Sequence, residues 1–527
     1  MANFTKKTAS GLSASAPFLA LGCLGFVVAC SPARMDSRGN DDATGGSTSG
    51  SGGKSTTGAG GSKGNGGSMS NGASLGSGGS VDTSNGGSSG GAGVGGNATT
   101  SPGGAPGNSP PDSGSAPDGT IDPPPSAACK FNNVAATLSP KIPTVGIVSW
   151  ATDLAGVTKA EIDFGLDDKY GMTAPVDLKE PSYRTLLLGM KAAKTYHYRI
   201  RATGAGGTCV GADNTITTGA NNGGQSVTLT PPAAPKAFGG FLLLSNPADG
   251  GASIVDKDGD TVWYYATNSD TSSVRLSYDG KYMWTLRANC CTDTGANVHR
   301  ISMDGMTDED LSSKFTGANH MLEILPDDTV AFFSYGSNGC DDLKEYSPTT
   351  GTVKTIVNTG KANGSTKSCH TNQVQYSPKD DTLVFSDLSS SSVTKVKRTG
   401  ETVWVLNGAK STLGTLWTGV QHGINILDVD RLLVFNNPST AIEITIDVAA
   451  KKATKVWSAK APTATPILGD VQRLPNGNTL IMPSSSGSGV EVDAMGAVVQ
   501  SYRTSNGNYG FIEKRATLYG PPIRMHL

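Results

Sequence analysis

The 527-residue chain holds six histidines, and three of them recur about 50 residues apart at the head of similar stretches. The stretches are His320-Met-Leu-Glu-Ile-Leu-Pro-Asp-Asp-Thr-Val, His370-Thr-Asn-Gln-Val-Gln-Tyr-Ser-Pro-Lys-Asp-Asp-Thr-Leu and His422-Gly-Ile-Asn-Ile-Leu-Asp-Val-Asp-Arg-Leu. Each runs through alternating apolar residues and a polar turn into a second apolar strand. Imidazole alone has an ordinary pKa near neutrality, so several converging on a polar site suit nucleophilic attack or proton transfer. Three imidazoles could also bind zinc or copper. Polar rim residues bonded to one another and to water are the reading that needs no chemistry.

Residues so far apart meet only if the stretches are units of a closed ring. The same half-unit recurs at Val274-Arg-Leu-Ser-Tyr-Asp-Gly-Lys-Tyr-Met-Trp and at Val471-Gln-Arg-Leu-Pro-Asn-Gly-Asn-Thr-Leu-Ile-Met. It alternates with a second half-unit of strand, turn and strand, such as Ala252-Ser-Ile-Val-Asp-Lys-Asp-Gly-Asp-Thr-Val-Trp and Val393-Thr-Lys-Val-Lys-Arg-Thr-Gly-Glu-Thr-Val-Trp. Two hairpins per repeat make one four-stranded blade, so an all-β propeller is expected over residues 235–527. Phe238–Tyr265 begins the ring, five further blades follow, and the tail around Asn506–Tyr519 can supply a closing strand. Six blades is the count that fits best, with five or seven as alternatives.

Aligned on their turns, Ser273, His320, Gln373, His422 and Asp470 would ring one mouth of the channel, with His370 three residues ahead in an entry loop. The returning strands bring Arg287, Ser334, Asp387, Leu388 and Asn436 to the same mouth. Asp256-Lys-Asp-Gly-Asp260 invites a calcium-loop reading, but its twelfth position is Thr267 rather than glutamate, so a tight turn is expected.

The segment ahead of the ring divides into three. Residues 1–30 carry Lys6 and Lys7, a short apolar run and Val27-Val28-Ala29-Cys30. That ending resembles a bacterial lipobox, which implies a lipoprotein signal peptide and a lipidated Cys30. Ser31 rather than aspartate after the cysteine suggests the outer membrane, so a cell-envelope lipoprotein held to the membrane only by its anchor is expected. Residues 31–127 are almost all Gly, Ser, Thr, Asn, Ala and Pro and are expected to be a disordered tether, with a typical span on the order of 50 Å.

Residues 128–220 show about seven short alternating runs, as in a β-sandwich of immunoglobulin or fibronectin type. The run from Leu186 to Gly204, with Thr195-Tyr-His-Tyr-Arg-Ile-Arg-Ala, resembles the end of a fibronectin type III domain. His197 within it reads as an ordinary strand residue. Cys129 and Cys209 flank this domain and are expected to pair; Cys290, Cys291, Cys340 and Cys369 allow three pairings. The 42 basic and 44 acidic residues nearly cancel, and no basic stripe points to nucleic acid.

Asn319-His320, the stretch from Cys369-His370-Thr-Asn372 to Asp-Asp-Thr-Leu, Val420-Gln421-His422-Gly and Val471-Gln-Arg-Leu-Pro-Asn-Gly-Asn resemble the bacterial aryl-sulfate sulfotransferases. That resemblance covers roughly residues 130–527 and implies an exported six-bladed propeller behind a small β-domain. It implies that His422 takes a sulfuryl group from a phenolic sulfate, forms a sulfohistidine and passes the group to a phenol. His320 and His370 would assist, Asn372, Gln421 and Asn436 would contact substrate, and no cofactor or metal would be needed. One position departs: where the family has an arginine near the end of a hairpin, this chain has Leu388 after Asp387. Arg287 holds almost the same hairpin-end position in another blade and is the candidate substitute. The competing expectation is a non-catalytic surface propeller that binds a glycan, a ligand or a protein partner.

Overall fold

The computed structural model describes residues 129–523, apart from 222, 248–249, 268–269, 289–294, 337–338, 366–368 and 508. The expected signal peptide, Cys30, the tether, Cys290 and Cys291 lie outside the described residues.

Six antiparallel sheets follow the half-unit repeat. Blades 2 to 5 each take four consecutive strands, beginning with inner strands Ser273–Leu276, Ala318–Ile324, Thr371–Ser377 and Gln421–Asp428. Blade 6 begins with Asp470–Arg473. Blade 1 takes its inner strand, Ile512–Arg515, from the C-terminal segment, laid beside Phe241–Ser245. Each inner strand lies against the next, from Ile512–Arg515 through all six and back, so the sheets are the blades of a closed six-bladed propeller. The outer edge of blade 6 is extended by Val227–Thr230, which pairs with Val498–Thr504. The propeller therefore begins before the boundary at 235 read from the sequence; an added edge strand pairs non-locally and leaves no repeat signal.

Inner strands are buried on both faces between neighbouring blades, so their side chains fill the inter-blade seams. Trp284, Phe315 and Phe332 pack between blades 2 and 3, and Trp404, Leu406, Ile424 and Ile444 between blades 4 and 5. Each such side chain contributes roughly 1.5–3 kcal/mol on burial. The seam between blades 6 and 1 also holds charge. Lys514 Nζ lies 3.3 Å from Glu491 and 2.8 Å from the Tyr502 hydroxyl, all three buried. Burial pulls the Lys514 ammonium down, and Glu491 opposes that pull.

The front domain is a sandwich of two sheets around Trp150, Ile162, Phe164, Tyr196 and Ile200. A disulfide joins Cys129 to Cys209. His197 meets Asp213 at 2.7 Å on the outer face, as an ordinary strand residue. Sandwich residues Ile142, Val145 and Leu188 share a core with Leu243, Trp263 and Leu518 of the propeller. Lys191 of the sandwich places its ammonium 3.2, 2.8 and 2.6 Å from Asp256, Asp258 and Asp260. The loop that invited a calcium reading is thus a tight turn holding a lysine: Asp256 accepts from the backbone N–H groups of Asp258 and Asp260.

Removing one partner of a buried ion pair leaves the other charge uncompensated. Lys514→Met is therefore expected to lower unfolding free energy in urea by about 3 kcal/mol, against little change for a surface control such as Lys451→Met. An unchanged urea midpoint for Lys514→Met would show that this pair does not stabilise the seam.

Candidate active site

Three inner strands carry β-bulges near the mouth: between Asn319 and Leu322, between Thr371 and Gln373, and between Gln421 and Ile424. These are the strands that carry or follow the three histidines; the inner strands of blades 2 and 6 pair without a bulge. A bulge adds a residue without a partner and turns the side chains beside it. At His320 the backbone takes the left-handed conformation, φ 58°, uncommon for a residue with a Cβ. Register places Leu322 opposite Phe332, Val374 opposite Phe385 and Ile424 opposite Val434. Counting back from these, the counterpart of His320 and His422 is Asn372, one residue from the Gln373 expected from turn alignment. The differing turn lengths caused the offset.

The histidines meet. His320 Nε2 and His370 Nε2 are 3.0 Å apart, with their rings edge to face. His422 stacks on Phe511 with ring centres 5.2 Å apart, and its Nδ1 lies 3.1 Å from the Gly469 carbonyl. A carbonyl only accepts, so His422 Nδ1 carries the hydrogen and Nε2 keeps the lone pair. Burial, assisted by the neighbouring His370, pushes His422 down to about 3, so its ring is neutral at ordinary pH. Burial also lowers His320 and His370, with Asp387 partly offsetting the effect on His370.

Glycines allow this placement. Gly469 has φ 112°, and a Cβ there would collide with the Phe435 ring. A Cβ on Gly423 would lie 2.5 Å from an Asp470 carboxylate oxygen and 2.7 Å from the Gly469 carbonyl oxygen.

The other expected site residues have varied surroundings. Gln421 is fully buried, and its side-chain amide donates to the carbonyls of Asp387 and Ser392 at 2.9 Å, stapling blade 5 to blade 4. Asn372 donates to the Gln421 carbonyl at 3.1 Å while its own side-chain oxygen is buried without a partner among the described residues. The Asn436 side-chain oxygen is likewise buried without a partner among the described residues, at the end of a strand paired with Gln421. Arg287 ends the second strand of blade 2, half-buried, on the mouth side and next to the blade of His320. Leu388 donates its backbone N–H to the His370 carbonyl at 2.8 Å and so closes the histidine's entry loop.

A disulfide joins Cys340 to Cys369, the residue before His370. Asp341, Asn319, Gly469 and Phe511 were not singled out as functional from sequence. Asn319 and Asp341 had only the weak signal of flanking a histidine and a cysteine; Phe511 arrives from the far end of the chain.

Residues 252–505 match the model of the arylsulfotransferase (ASST) family. Over those residues, just under half of the chain, the protein is similar to this family. No curated protein matches the chain. Among solved structures it is similar to a protein of unknown function from Bacteroides caccae, with 16% identity over 52% of this chain and 98% of that one at a TM-score of 0.38. It is also similar to TolB from Acinetobacter baumannii, with 13% identity, 62% and 80% coverage and a TM-score of 0.38. A third is virginiamycin B lyase from Staphylococcus aureus, with 10% identity, 60% and 93% coverage and a TM-score of 0.33. At these values nothing functional follows from the structural likenesses. The family match supports an arylsulfotransferase-like function for this segment.

Two outcomes follow from the His422 geometry. In nitrogen-resolved NMR the His422 ring is expected to stay neutral, with hydrogen on Nδ1, from about pH 8 down to about pH 5; titration near its ordinary value would contradict the burial. Gly423→Ala is expected to displace the Gly469 carbonyl and bring back a titrating His422, with a loss of transfer of about a hundredfold.

Proposed function

We propose that the protein is an exported, lipid-anchored arylsulfotransferase that moves a sulfuryl group from a phenolic sulfate ester to a phenol through a sulfohistidine on His422. The observation that carries this reading is the buried His422, its Nε2 lone pair set by the Gly469 carbonyl, beside the bonded His320–His370 pair. Nε2 attacks sulfur, an N–S bond forms, and the S–O bond to the aryl group breaks with its electron pair leaving on the phenolate oxygen. The phenolate leaves and takes its proton from water. In the second half the acceptor phenol gives its proton to the lone pair of the neutral His320–His370 pair, its oxygen attacks sulfur, the N–S electron pair goes back to Nε2, and the pair releases the proton to water.

Developing charge on the sulfuryl oxygens needs positive groups, and a lost donor of this kind costs about 2.7–4 kcal/mol. With Leu388 at the family's arginine position, Arg287 is the cation we assign to the sulfate, with Asn372 and Asn436 as further polar contacts. The fibronectin-like sandwich, the tether and the lipidated Cys30 would hold the propeller away from the outer membrane.

The test uses 4-nitrophenyl sulfate as donor and phenol as acceptor. His422→Ala is expected to lower nitrophenol release by at least about a thousandfold. Arg287→Ala is expected to lower it by about a hundredfold. Full activity in Arg287→Ala removes the assignment of that cation; no release by the folded wild-type protein removes the transfer reading and leaves a ligand-binding propeller.

A further inference from the structure

We propose that Asp341 is a positioning residue of this site: its carboxylate ties the His320 and His370 strands together and dictates which ring nitrogens of the pair carry hydrogen. The consequence for rate rests on the sulfuryl-transfer reading above, whereas the effect on the rings does not.

Asp341 opens the third strand of blade 3 and is buried. One carboxylate oxygen accepts from the Thr371 backbone N–H at 3.2 Å and from its hydroxyl at 2.5 Å, next to His370. The other accepts from the Asn319 side-chain N–H at 3.2 Å, next to His320. A buried carboxylate is tolerated only when its oxygens are hydrogen-bonded, and here the donors come from both histidine strands. A disulfide from Cys340, the residue before Asp341, to Cys369, two residues before Thr371, fastens the Asp341 and Thr371 segments covalently.

The orientation of Asn319 follows from this carboxylate. Turned over, its amide oxygen would face the Asp341 oxygens, acceptor against acceptor. With the amide nitrogen toward Asp341, the amide oxygen lies 3.0 Å from His320 Nδ1 and must accept from it. His320 Nδ1 then carries hydrogen, and its Nε2 is a lone pair that accepts from His370 Nε2. In the neutral pair the remaining lone pair is His370 Nδ1. One carboxylate thus orders an amide and two imidazoles, the outer-shell role by which a hydrogen-bonded partner selects a histidine tautomer.

The experiment compares wild type, Asp341→Asn and Asn319→Ala by NMR of the protein with nitrogen-labelled histidine, alongside transfer kinetics. Wild-type His320 is expected as a single tautomer with hydrogen on Nδ1. In both variants His320 and His370 should become tautomer mixtures, while His422, held by Gly469, keeps its hydrogen on Nδ1. The transfer rate should fall roughly ten- to a hundredfold, mainly in kcat, with little change in KM for the donor. A single Nδ1–H tautomer of His320 retained in both variants overturns the proposal. Asn319→Ala leaves the Asp341–Thr371 bonds in place, so it decides the matter if Asp341→Asn does not fold. Should wild type transfer no sulfate, the function falls while the tautomer result still judges Asp341.

Discussion

The innermost strand of every propeller blade is a sheet edge, and its outward backbone N–H groups are buried where water cannot serve them. Here the previous blade answers that demand with a side chain. Glu323 accepts from Tyr376 N at 3.0 Å, Gln375 from Ile426 N at 2.8 Å, Asn425 from Arg473 N at 2.8 Å and Gln472 from Lys514 N at 2.7 Å. An unpaired buried donor costs about 1–3 kcal/mol, so these four equivalent bonds stabilise the ring and set the rotation of each blade on the next. Between blades 1 and 2 the direction reverses: Arg515 donates to the carbonyls of Leu276 and Ser277. Everything at the mouth inherits its position from this layer, three to six residues below the histidines along the chain.

Above that layer regular pairing gives way. The bulges relieve His320 and His422 of ladder duty and let their rings meet neighbouring strands. Desolvation then does two things at once. It holds all three imidazoles neutral, as a nucleophile requires, and it makes each bond to a carbonyl, an amide or another ring strong enough to select a tautomer. The same burial pushes the Asp341 and Asp470 carboxyls up to about 6, so both are carboxylates at neutral pH and take up protons in mildly acidic solution.

Much of this was legible in the chain. Apolar alternation broken by Asp-Gly and Asn-Gly turns marks the hairpins because strand period and turn chemistry are local. The Asn506–Tyr519 tail was a visible candidate for the closing strand, since the first blade is short of one. His320, His370 and His422 stood out because they recur about 50 residues apart at the head of similar stretches. The bulges were invisible: they depend on which residue of the opposite strand each faces, so turn alignment selected Gln373 where register selects Asn372. Gln421, expected to contact substrate, has its amide nitrogen committed to blade 4, a fact that no spacing contains.

The sequence by itself determined the strands, the hairpins, their grouping into blades and the residue types available for chemistry, because each depends on neighbours a few positions away. Only the tertiary structure decided the rest. It brought Gly469 to His422, Asp341 to Asn319 and Thr371, and Phe511, the residue before the last strand, to the face of the His422 ring. Those contacts join residues tens of positions apart, and ring closure, hydrogen-bond direction and burial act together to choose them.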